Sequence, residues 1–175
     1  MNLIEVGQIA PDAEYDGIDG KRASVRDWRG HPLVLYFYPK DNTGGCTKQA
    51  QAFTALMPEF AKAGVAVVGI SKDSVESHVK FIDKFDLRVT LGSDGDGSMC
   101  QAFGVWVEKL LYGRKYMGID RSTFLIGADG TVLRIWRKVK VVAHAESVLD
   151  AALQPNQTIE RDISSMKNLS RNGHI

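Results

Sequence analysis

Two short stretches of the chain are almost entirely apolar and rich in residues that favour β-strands. They are residues 32–38, Pro-Leu-Val-Leu-Tyr-Phe-Tyr, and residues 65–70, Val-Ala-Val-Val-Gly-Ile. Strands that are covered on both faces have this composition, because neither face needs polar side chains. Each stretch therefore predicts a central strand of a buried sheet.

Helical periodicity follows the first of these strands. Apolar residues recur there at intervals of three and four positions, namely Ala50, Phe53, Met57 and Phe60. This spacing places them on one face and predicts an amphipathic helix from about Gly44 to Lys62. Pro58 lies inside it and predicts a kink or a break, because proline removes a backbone hydrogen bond.

A second helix is predicted after residues 71–74, whose serine and aspartate side chains can cap it. The residues expected on its buried face are Val75, Val79, Ile82 and Phe85. A short strand near residues 89–91 and a short helix near residues 98–103 come next. Residues 105–118 mix aromatic and basic side chains without a clear period, so we expect a long ordered loop there.

The last third of the chain predicts two strands and a helix. Residues 122–126 form a strand, residues 128–131 (Ala-Asp-Gly-Thr) form a hairpin turn, and the returning strand contains Leu133 and Ile135. A final amphipathic helix is expected at residues 143–153. The whole order of elements predicts an α/β fold with a central mixed β-sheet flanked by helices.

The length of 175 residues suits a single domain, which we place at residues 1–154. An apolar fraction of 44% and a charged fraction of 25% are those of an ordinary soluble globular protein. Residues 155–175 are polar and aperiodic. They predict a C-terminal tail that is mobile or docks on a partner subunit.

The net charge of +1 excludes a broad attraction to nucleic acid or to an anionic membrane, so neither is expected as a partner. No apolar run approaches the roughly 20 residues that a membrane span needs. The first residues lack the basic and apolar regions of a secretory signal, which favours a cytoplasmic location. Nothing in the composition fixes the oligomeric state, and a monomer or a homodimer is expected.

Neither a metal nor another cofactor is expected. Cys46 and Cys100 are too few for a disulfide framework, form no CxxC pair and have no paired histidine at the spacing of a zinc site. Residues 94–98 resemble the start of a calcium loop, but Val105 stands where that loop needs glutamate. The histidines are scattered and are each expected to be surface or capping residues: His31, His78, His144 and His174.

Cys46 has the most informative setting in the chain. It follows an apolar strand and a polar, glycine-rich segment, and it lies at the expected start of a helix. A free cysteine is only a few per cent ionised at pH 7. The positive end of a helix, together with a nearby arginine, favours the thiolate form, which is the nucleophile.

These features resemble the peroxiredoxins, and most closely the bacterioferritin comigratory protein branch, also called peroxiredoxin Q. The motif Pro-x-x-x-Thr-x-x-Cys is met by Pro39, Thr43 and Cys46. Further similar blocks lie at residues 67–71, 73–78, 103–106 and 121–126, and the resemblance covers about residues 6–153. It implies a thioredoxin-like fold and a thiol-dependent peroxidase that reduces hydrogen peroxide and organic hydroperoxides. Thioredoxin, glutaredoxin or a small thiol would be the reductant.

The resemblance also assigns roles to individual residues. Cys46 would be the peroxidatic nucleophile and would become a sulfenic acid. Thr43 would hydrogen-bond the thiolate and the peroxide, and Pro39 would shield the site from water. Arg121 would lie beside the sulfur. The backbone N–H groups of Gly45 and Cys46 would face the peroxide oxygens, as helix N-termini face anions.

The chain departs from the family at the positions of the second, resolving cysteine. Many members carry it five residues after the first, where this chain has Gln51, and others carry it near the position of Ile82. We therefore favour a one-cysteine mechanism in which an external thiol resolves the sulfenic acid, and we expect Cys100 to be a buried structural thiol. The alternatives are a two-cysteine peroxidase with Cys100 as the resolving residue, and a redox sensor or thiol-switched chaperone.

Two further departures lie close to Cys46. Gly44 stands where the family usually has proline, which leaves the loop more conformational freedom. Gln49 stands where glutamate is usual, which removes a carboxylate from the neighbourhood of the sulfur. Both departures are compatible with a site that is active but differs from that of the family in loop flexibility and charge.

Overall fold

The computed structural model describes residues 3–154, and the predicted tail at residues 155–175 lies outside them. The strands are β1 (Glu14–Gly17), β2 (Arg22–Ser24), β3 (Leu33–Phe37), β4 (Ala66–Ser71), β5 (Thr90–Ser93), β6 (Trp106–Leu111), β7 (Arg114–Ile119), β8 (Ser122–Ile126) and β9 (Val132–Trp136). The helices are α1 (Gly44–Lys62), α2 (Val75–Phe85), α3 (Ser98–Ala102) and α4 (residues 144–154), with a short 3-10 helix at Val25–Trp28.

Seven of these strands form one mixed sheet in the order β2-β1-β5-β4-β3-β8-β9. Strands β3, β4 and β5 are parallel to one another and are joined by α1 and α2. The outer strands on both sides pair in antiparallel fashion. The predicted α/β architecture with a mixed sheet flanked by helices is therefore confirmed, and the two apolar stretches do form its central strands.

The sheet separates two hydrophobic layers, and β3 contributes to both. Val34 and Tyr36 point into a layer that also contains buried residues of α1, α2 and α4, which we call the α1 layer. Leu33, Leu35 and Phe37 point into the opposite layer, which contains the buried residues of α3, and we call it the α3 layer. This alternation follows from the two-residue period of a strand.

Helix α1 has the predicted boundaries, but Pro58 does not break it, since residues 44–62 form one helix. The apolar stripe explains this difference. Phe53 and Phe60 lie on either side of Pro58, both are fully buried, and their rings are 6.1 Å apart in the same layer. The burial of these side chains outweighs the single hydrogen bond that proline removes.

The prediction of a loop at residues 105–118 is wrong. Strands β6 and β7 form a separate antiparallel hairpin there, with Trp106 opposite Ile119 and Leu111 opposite Arg114. Most of its side chains are exposed on both faces, so the hairpin lacks the apolar alternation that reveals a half-buried strand. Its turn places Tyr112 and Gly113 at positive φ (50° and 77°), and tyrosine is not a typical residue for that turn.

The buried face of α2 agrees with the prediction only in part, since Ile82 and Phe85 are partly buried against the α1 layer. Its buried side chains are His78 and Phe81, whereas Val79 is 40% exposed. The helix begins after Ser74, whose hydroxyl oxygen accepts a hydrogen bond from the backbone N–H of Ser77, as expected of a capping serine. Within residues 3–154, no helix combines the length and hydropathy that crossing a bilayer requires.

Candidate active site

The carboxyl ends of the parallel strands meet at one edge of the sheet, and the loop that leads to Cys46 leaves from this edge. We call residues 38–45 the Cys46 loop. Strand β8 runs antiparallel to β3, with Ser122 opposite Phe37. Arg121, the residue before β8, therefore lies at the same edge. Ligand sites of α/β sheets are commonly found there.

The structure places the guanidinium group of Arg121 against the sulfur of Cys46. Its Nη2 atom donates a hydrogen bond to Sγ over 3.2 Å, although the two residues are 75 positions apart in the sequence. A Cβ atom added to Gly45 would lie 3.2 Å from the same Nη2 atom, so glycine leaves room for the guanidinium. Because Cys46 is also in the first turn of α1, a cation and a helix N-terminus both favour a negative charge on the sulfur.

Gln49 holds the other side of the guanidinium. Nη1 of Arg121 donates to the Oε1 atom of Gln49 over 2.6 Å, so Arg121 bridges Gln49 and Cys46. A neutral amide therefore faces Arg121 at this position instead of a carboxylate. Within the described chain, the buried Nε2 of Gln49 and the buried hydroxyl of Tyr36 have no hydrogen-bond partner. A bound water or oxygen atom could satisfy such donors.

Thr43 and Pro39 lie on the exposed part of the Cys46 loop. Thr43 is the N-cap residue of α1, but its side chain makes no capping bond, and its hydroxyl donates to the carbonyl of Lys40 over 2.9 Å. The first helical backbone bond runs from Thr47 N–H to the Thr43 carbonyl. The N–H groups of residues 44–46 therefore have no acceptor within the helix.

Cys46 is only 2% exposed and belongs to the α1 layer, so its surroundings are less open than the polar sequence around it suggests. Cys100 is fully buried in the α3 layer on the other side of the sheet. Both cysteines are free. Burial, and then the neighbouring Asp94 carboxylate, raise the pKa of the Cys100 thiol far above its ordinary value. Cys100 is thus a buried, neutral thiol in this fold.

Two histidines that we expected at the surface or at caps are buried. His78 is fully buried and His144 is 6% exposed, whereas His31 is exposed as predicted and His174 lies outside the described residues. The Nε2 atom of His144 lies 2.8 Å from the Thr123 hydroxyl. Burial, together with the charge of Arg121, lowers the pKa of His144 to about 4. His144 is therefore neutral at pH 7.

The depressed pKa of His144 predicts an acid-sensitive fold. Between pH 6.5 and 4 the unfolded chain binds a proton that the folded chain rejects, so stability is lost as the pH falls through this range. The loss approaches about 3 kcal/mol below pH 4. His144→Gln keeps a polar group near Thr123 but cannot titrate. Urea unfolding at pH 7 and pH 4.5 should show a smaller pH effect in this variant than in the wild type, and equal effects would contradict the prediction.

The sequence matches the family model described as the AhpC/TSA family over residues 6–135. The chain belongs to the AhpC/TSA family. A peroxiredoxin Bcp of Xanthomonas campestris is 51% identical over 132 residues, which are 75% of this chain and 82% of the relative. The peroxiredoxin Bcp of Escherichia coli is 42% identical over 150 residues, which are 86% of this chain and 96% of the relative.

Solved structures agree with this assignment to the AhpC/TSA family. A cysteine-to-serine mutant of the PrxQ of Xylella fastidiosa matches with a TM-score of 0.83 and 37% identity over 90% of this chain and 99% of that chain. The bacterioferritin comigratory protein of Xanthomonas campestris, studied for alkyl peroxide reduction, matches with a TM-score of 0.77 and 46% identity over 81% of this chain and 90% of that chain. The chain therefore has the thioredoxin-like peroxiredoxin fold and is a thiol-dependent peroxidase, as the sequence motifs implied.

Proposed function

We propose that this enzyme reduces hydroperoxides through Cys46 by a one-cysteine mechanism. The Cys46 thiolate attacks the terminal oxygen of ROOH, an S–O bond forms and the O–O bond breaks. The leaving alkoxide takes up a proton from solvent water and departs as ROH, and the sulfur keeps the terminal O–H of the peroxide as a sulfenic acid. An external thiol then forms a mixed disulfide with Cys46 and releases water. A second thiol displaces Cys46 and restores the thiolate.

The observation that carries this proposal is the 3.2 Å contact between Arg121 and the sulfur at the N-terminus of α1. In the proposed mechanism Arg121 stabilises the thiolate and the charge that develops on the peroxide. The Gly45 and Cys46 N–H groups donate to the peroxide oxygens, Thr43 hydrogen-bonds the peroxide and the thiolate, and Pro39 limits the access of water. Fixed donors of this kind stabilise developing charge without having to reorganise.

The positioning of the peroxide must contribute more to the reaction rate than the ionisation of the Cys46 thiol does. A free thiol is already a few per cent ionised at pH 7, so complete ionisation gains at most some tens-fold in rate. Holding two reacting groups at the correct distance and angle can contribute far more. The bridge from Gln49 through Arg121 to Cys46 supports this view, because it fixes the orientation of the guanidinium at the sulfur.

The two-layer architecture supports the one-cysteine form of the reaction. Cys46 and Cys100 lie in opposite layers, with the sheet between them. A disulfide needs Cα atoms within roughly 7 Å of each other, which opposite layers do not allow without unfolding. The thiol of Cys100 is also kept neutral by its burial and by Asp94. We therefore assign resolution to an external thiol rather than to Cys100.

Mass spectrometry after one equivalent of hydrogen peroxide tests this mechanism directly. We expect a mass increase of one oxygen, trapped by dimedone on the peptide that contains Cys46, and a free Cys100. A loss of two hydrogens with a Cys46–Cys100 cross-linked peptide would establish the two-cysteine alternative. A disulfide-linked dimer would show that a second copy supplies the resolving thiol.

A redox sensor or thiol-switched chaperone is the second candidate function, and the 2% exposure of Cys46 favours it. If a reducing thiol reaches the buried sulfur only slowly, the sulfenic acid on Cys46 persists for longer. A long-lived sulfenic acid is what a redox signal requires. Multiple turnover with dithiothreitol or thioredoxin distinguishes the two functions. Sustained turnover that depends on Cys46 supports the peroxidase, whereas a single stoichiometric oxidation supports the sensor.

We further propose the setting in which the enzyme works. The electron donor is thioredoxin, glutaredoxin or a small thiol, and the substrates are hydrogen peroxide and organic hydroperoxides. The proposed location is the cytoplasm, and the proposed assembly is a monomer or a homodimer. The chemistry written above needs no metal or organic cofactor.

A further inference from the structure

His78 is fully buried, and both of its ring nitrogens face hydrogen-bond acceptors. Nδ1 lies 2.7 Å from Oδ2 of Asp41, and Nε2 lies 2.9 Å from the carbonyl oxygen of Gly92. A ring nitrogen that carries a proton can donate to the acceptor that it faces. His78 therefore links the Asp41 carboxylate on one side to the backbone of β5 on the other.

The Asp41 carboxylate is held from three sides. Besides His78, the Tyr38 hydroxyl donates to Oδ1 over 2.6 Å and the Ser77 hydroxyl donates to Oδ2 over 2.8 Å. Burial acts to raise the pKa of Asp41, but the hydrogen bonds from His78 and Tyr38 outweigh it, and the pKa falls below its ordinary value. The carboxylate is a fixed anion, and both of its oxygens accept hydrogen bonds.

The backbone of Asp41 is fixed as well. Its N–H group donates to Oδ2 of Asp73 over 2.9 Å, and the same oxygen accepts from the Ser71 hydroxyl over 2.5 Å. Asp41, Asp73 and His78 have potential ligand atoms within 4.8 Å of one another, as a metal site would. Because these contacts already use the facing atoms, the cluster is a hydrogen-bonded network that joins the Cys46 loop to β4 and α2.

Asp41 is the one buried residue between Tyr38 and Cys46, and its neighbours at positions 39, 40 and 42–45 are exposed. The loop that carries Thr43 is therefore attached to the protein interior through Asp41. At the surface, Lys84 of α2 also donates to Oδ1 of Asn42 over 3.2 Å. The Thr43 hydroxyl bonds to the Lys40 carbonyl inside the same loop, so this segment moves with Asp41. Any shift of the Asp41 carboxylate would displace Thr43 and the first turn of α1.

We propose that His78 is a positioning residue for the peroxidase reaction. Its imidazole ring holds Asp41 and so fixes the Cys46 loop at the place where the peroxide is aligned with the sulfur. His78 itself touches neither the peroxide nor Cys46. A displacement of about 1 Å in such a group can slow a reaction by about 100-fold. The inference rests on the proposed role of Cys46 as the nucleophile.

Two substitutions at the same position separate positioning from stability. The amide nitrogen of asparagine can replace Nδ1, so His78→Asn keeps the bond to Asp41 and loses the bond to Gly92. The longer glutamine replaces Nε2, so His78→Gln keeps the bond to Gly92 and loses the bond to Asp41. Each variant loses one buried hydrogen bond, so we expect the two urea unfolding midpoints to fall by similar amounts.

The rate constant for the reaction of reduced enzyme with hydrogen peroxide, measured by stopped-flow fluorescence, is the decisive quantity. We expect His78→Gln to lower it about 10- to 100-fold and His78→Asn to keep it within about 3-fold of the wild type. Alkylation of Cys46 by iodoacetamide needs no aligned peroxide, so its rate should not fall in either variant. Equal losses of the peroxide rate in both variants, or a wild-type rate in His78→Gln, would overturn the proposal.

Tyr38→Phe provides a second test that leaves His78 itself in place. It removes the hydroxyl that donates to Asp41 and lies 3.4 Å from Nδ1 of His78, and the ring keeps its packing. We expect a peroxide rate about 3- to 10-fold lower, with the alkylation rate unchanged; an unchanged peroxide rate would contradict the role of Asp41. Peroxide turnover of the wild type and its loss in Cys46→Ser test the proposed peroxidase function and are measured separately. If these two results are as expected and the His78 variants are not, then only the positioning role of His78 is wrong.

Discussion

Cys46→Ser is expected to abolish peroxide turnover, whereas Cys100→Ser is expected to retain most of it. A serine hydroxyl is not ionised at neutral pH and cannot form a sulfenic acid, so the first variant lacks the nucleophile. Cys100 lies in the α3 layer beside Asp94, and a serine hydroxyl can donate to that carboxylate in place of the thiol. Peroxide consumption with dithiothreitol as the donor measures both effects.

The matched pair of cysteine variants also decides the mechanism. If Cys100→Ser loses turnover with a small thiol donor and the wild type forms an intramolecular disulfide, then the one-cysteine assignment is wrong. If Cys46→Ser still consumes peroxide, another residue must be the nucleophile. Urea unfolding of both variants establishes that the measured differences concern chemistry and not folding.

Arg121→Ala is expected to lower the rate constant with hydrogen peroxide by about 100- to 1000-fold. Removing one fixed donor from a site that stabilises developing charge typically has an effect of this size. The variant removes the 3.2 Å contact to the sulfur and leaves the buried Oε1 atom of Gln49 without its donor. The initial rate of sulfenic acid formation, measured by stopped-flow, reports the loss.

Arg121→Lys distinguishes charge from geometry at the same position. Lysine keeps the positive charge, but its single nitrogen cannot reproduce the fork that contacts Cys46 and Gln49 together. We expect a rate between those of the wild type and Arg121→Ala. A wild-type rate in Arg121→Lys would show that charge alone is needed, and a wild-type rate in Arg121→Ala would assign the residue to structure.

The central elements could be predicted because their signals are local. Strands β3 and β4 are nearly continuous apolar runs, and α1 has a regular apolar stripe that ends before Gly64, whose φ of 73° suits glycine. The β6–β7 hairpin could not be predicted in the same way. Both of its faces are largely exposed, and Tyr112 occupies a turn position that typically favours asparagine or glycine.

The site was only partly predictable for a related reason. Cys46 carries a local signal, since it follows a strand and begins a helix. The contact between Arg121 and Cys46 depends on the pairing of β8 with β3, which local periodicity does not reveal, so the resemblance supplied it. His78 was missed because it is a polar residue on a helix and its partners, Asp41 and Gly92, are 37 and 14 positions away.

The separation of the two cysteines by the sheet has a consequence for the durability of the enzyme. A sulfenic acid that no neighbouring thiol can trap remains open to a second molecule of oxidant, which converts it to a sulfinic acid. Inactivation would then depend on the ratio of peroxide to reductant, and it would accelerate when the concentration of the reducing thiol falls. Under the proposed one-cysteine mechanism, overoxidation would be the weakness that accompanies a lone catalytic sulfur.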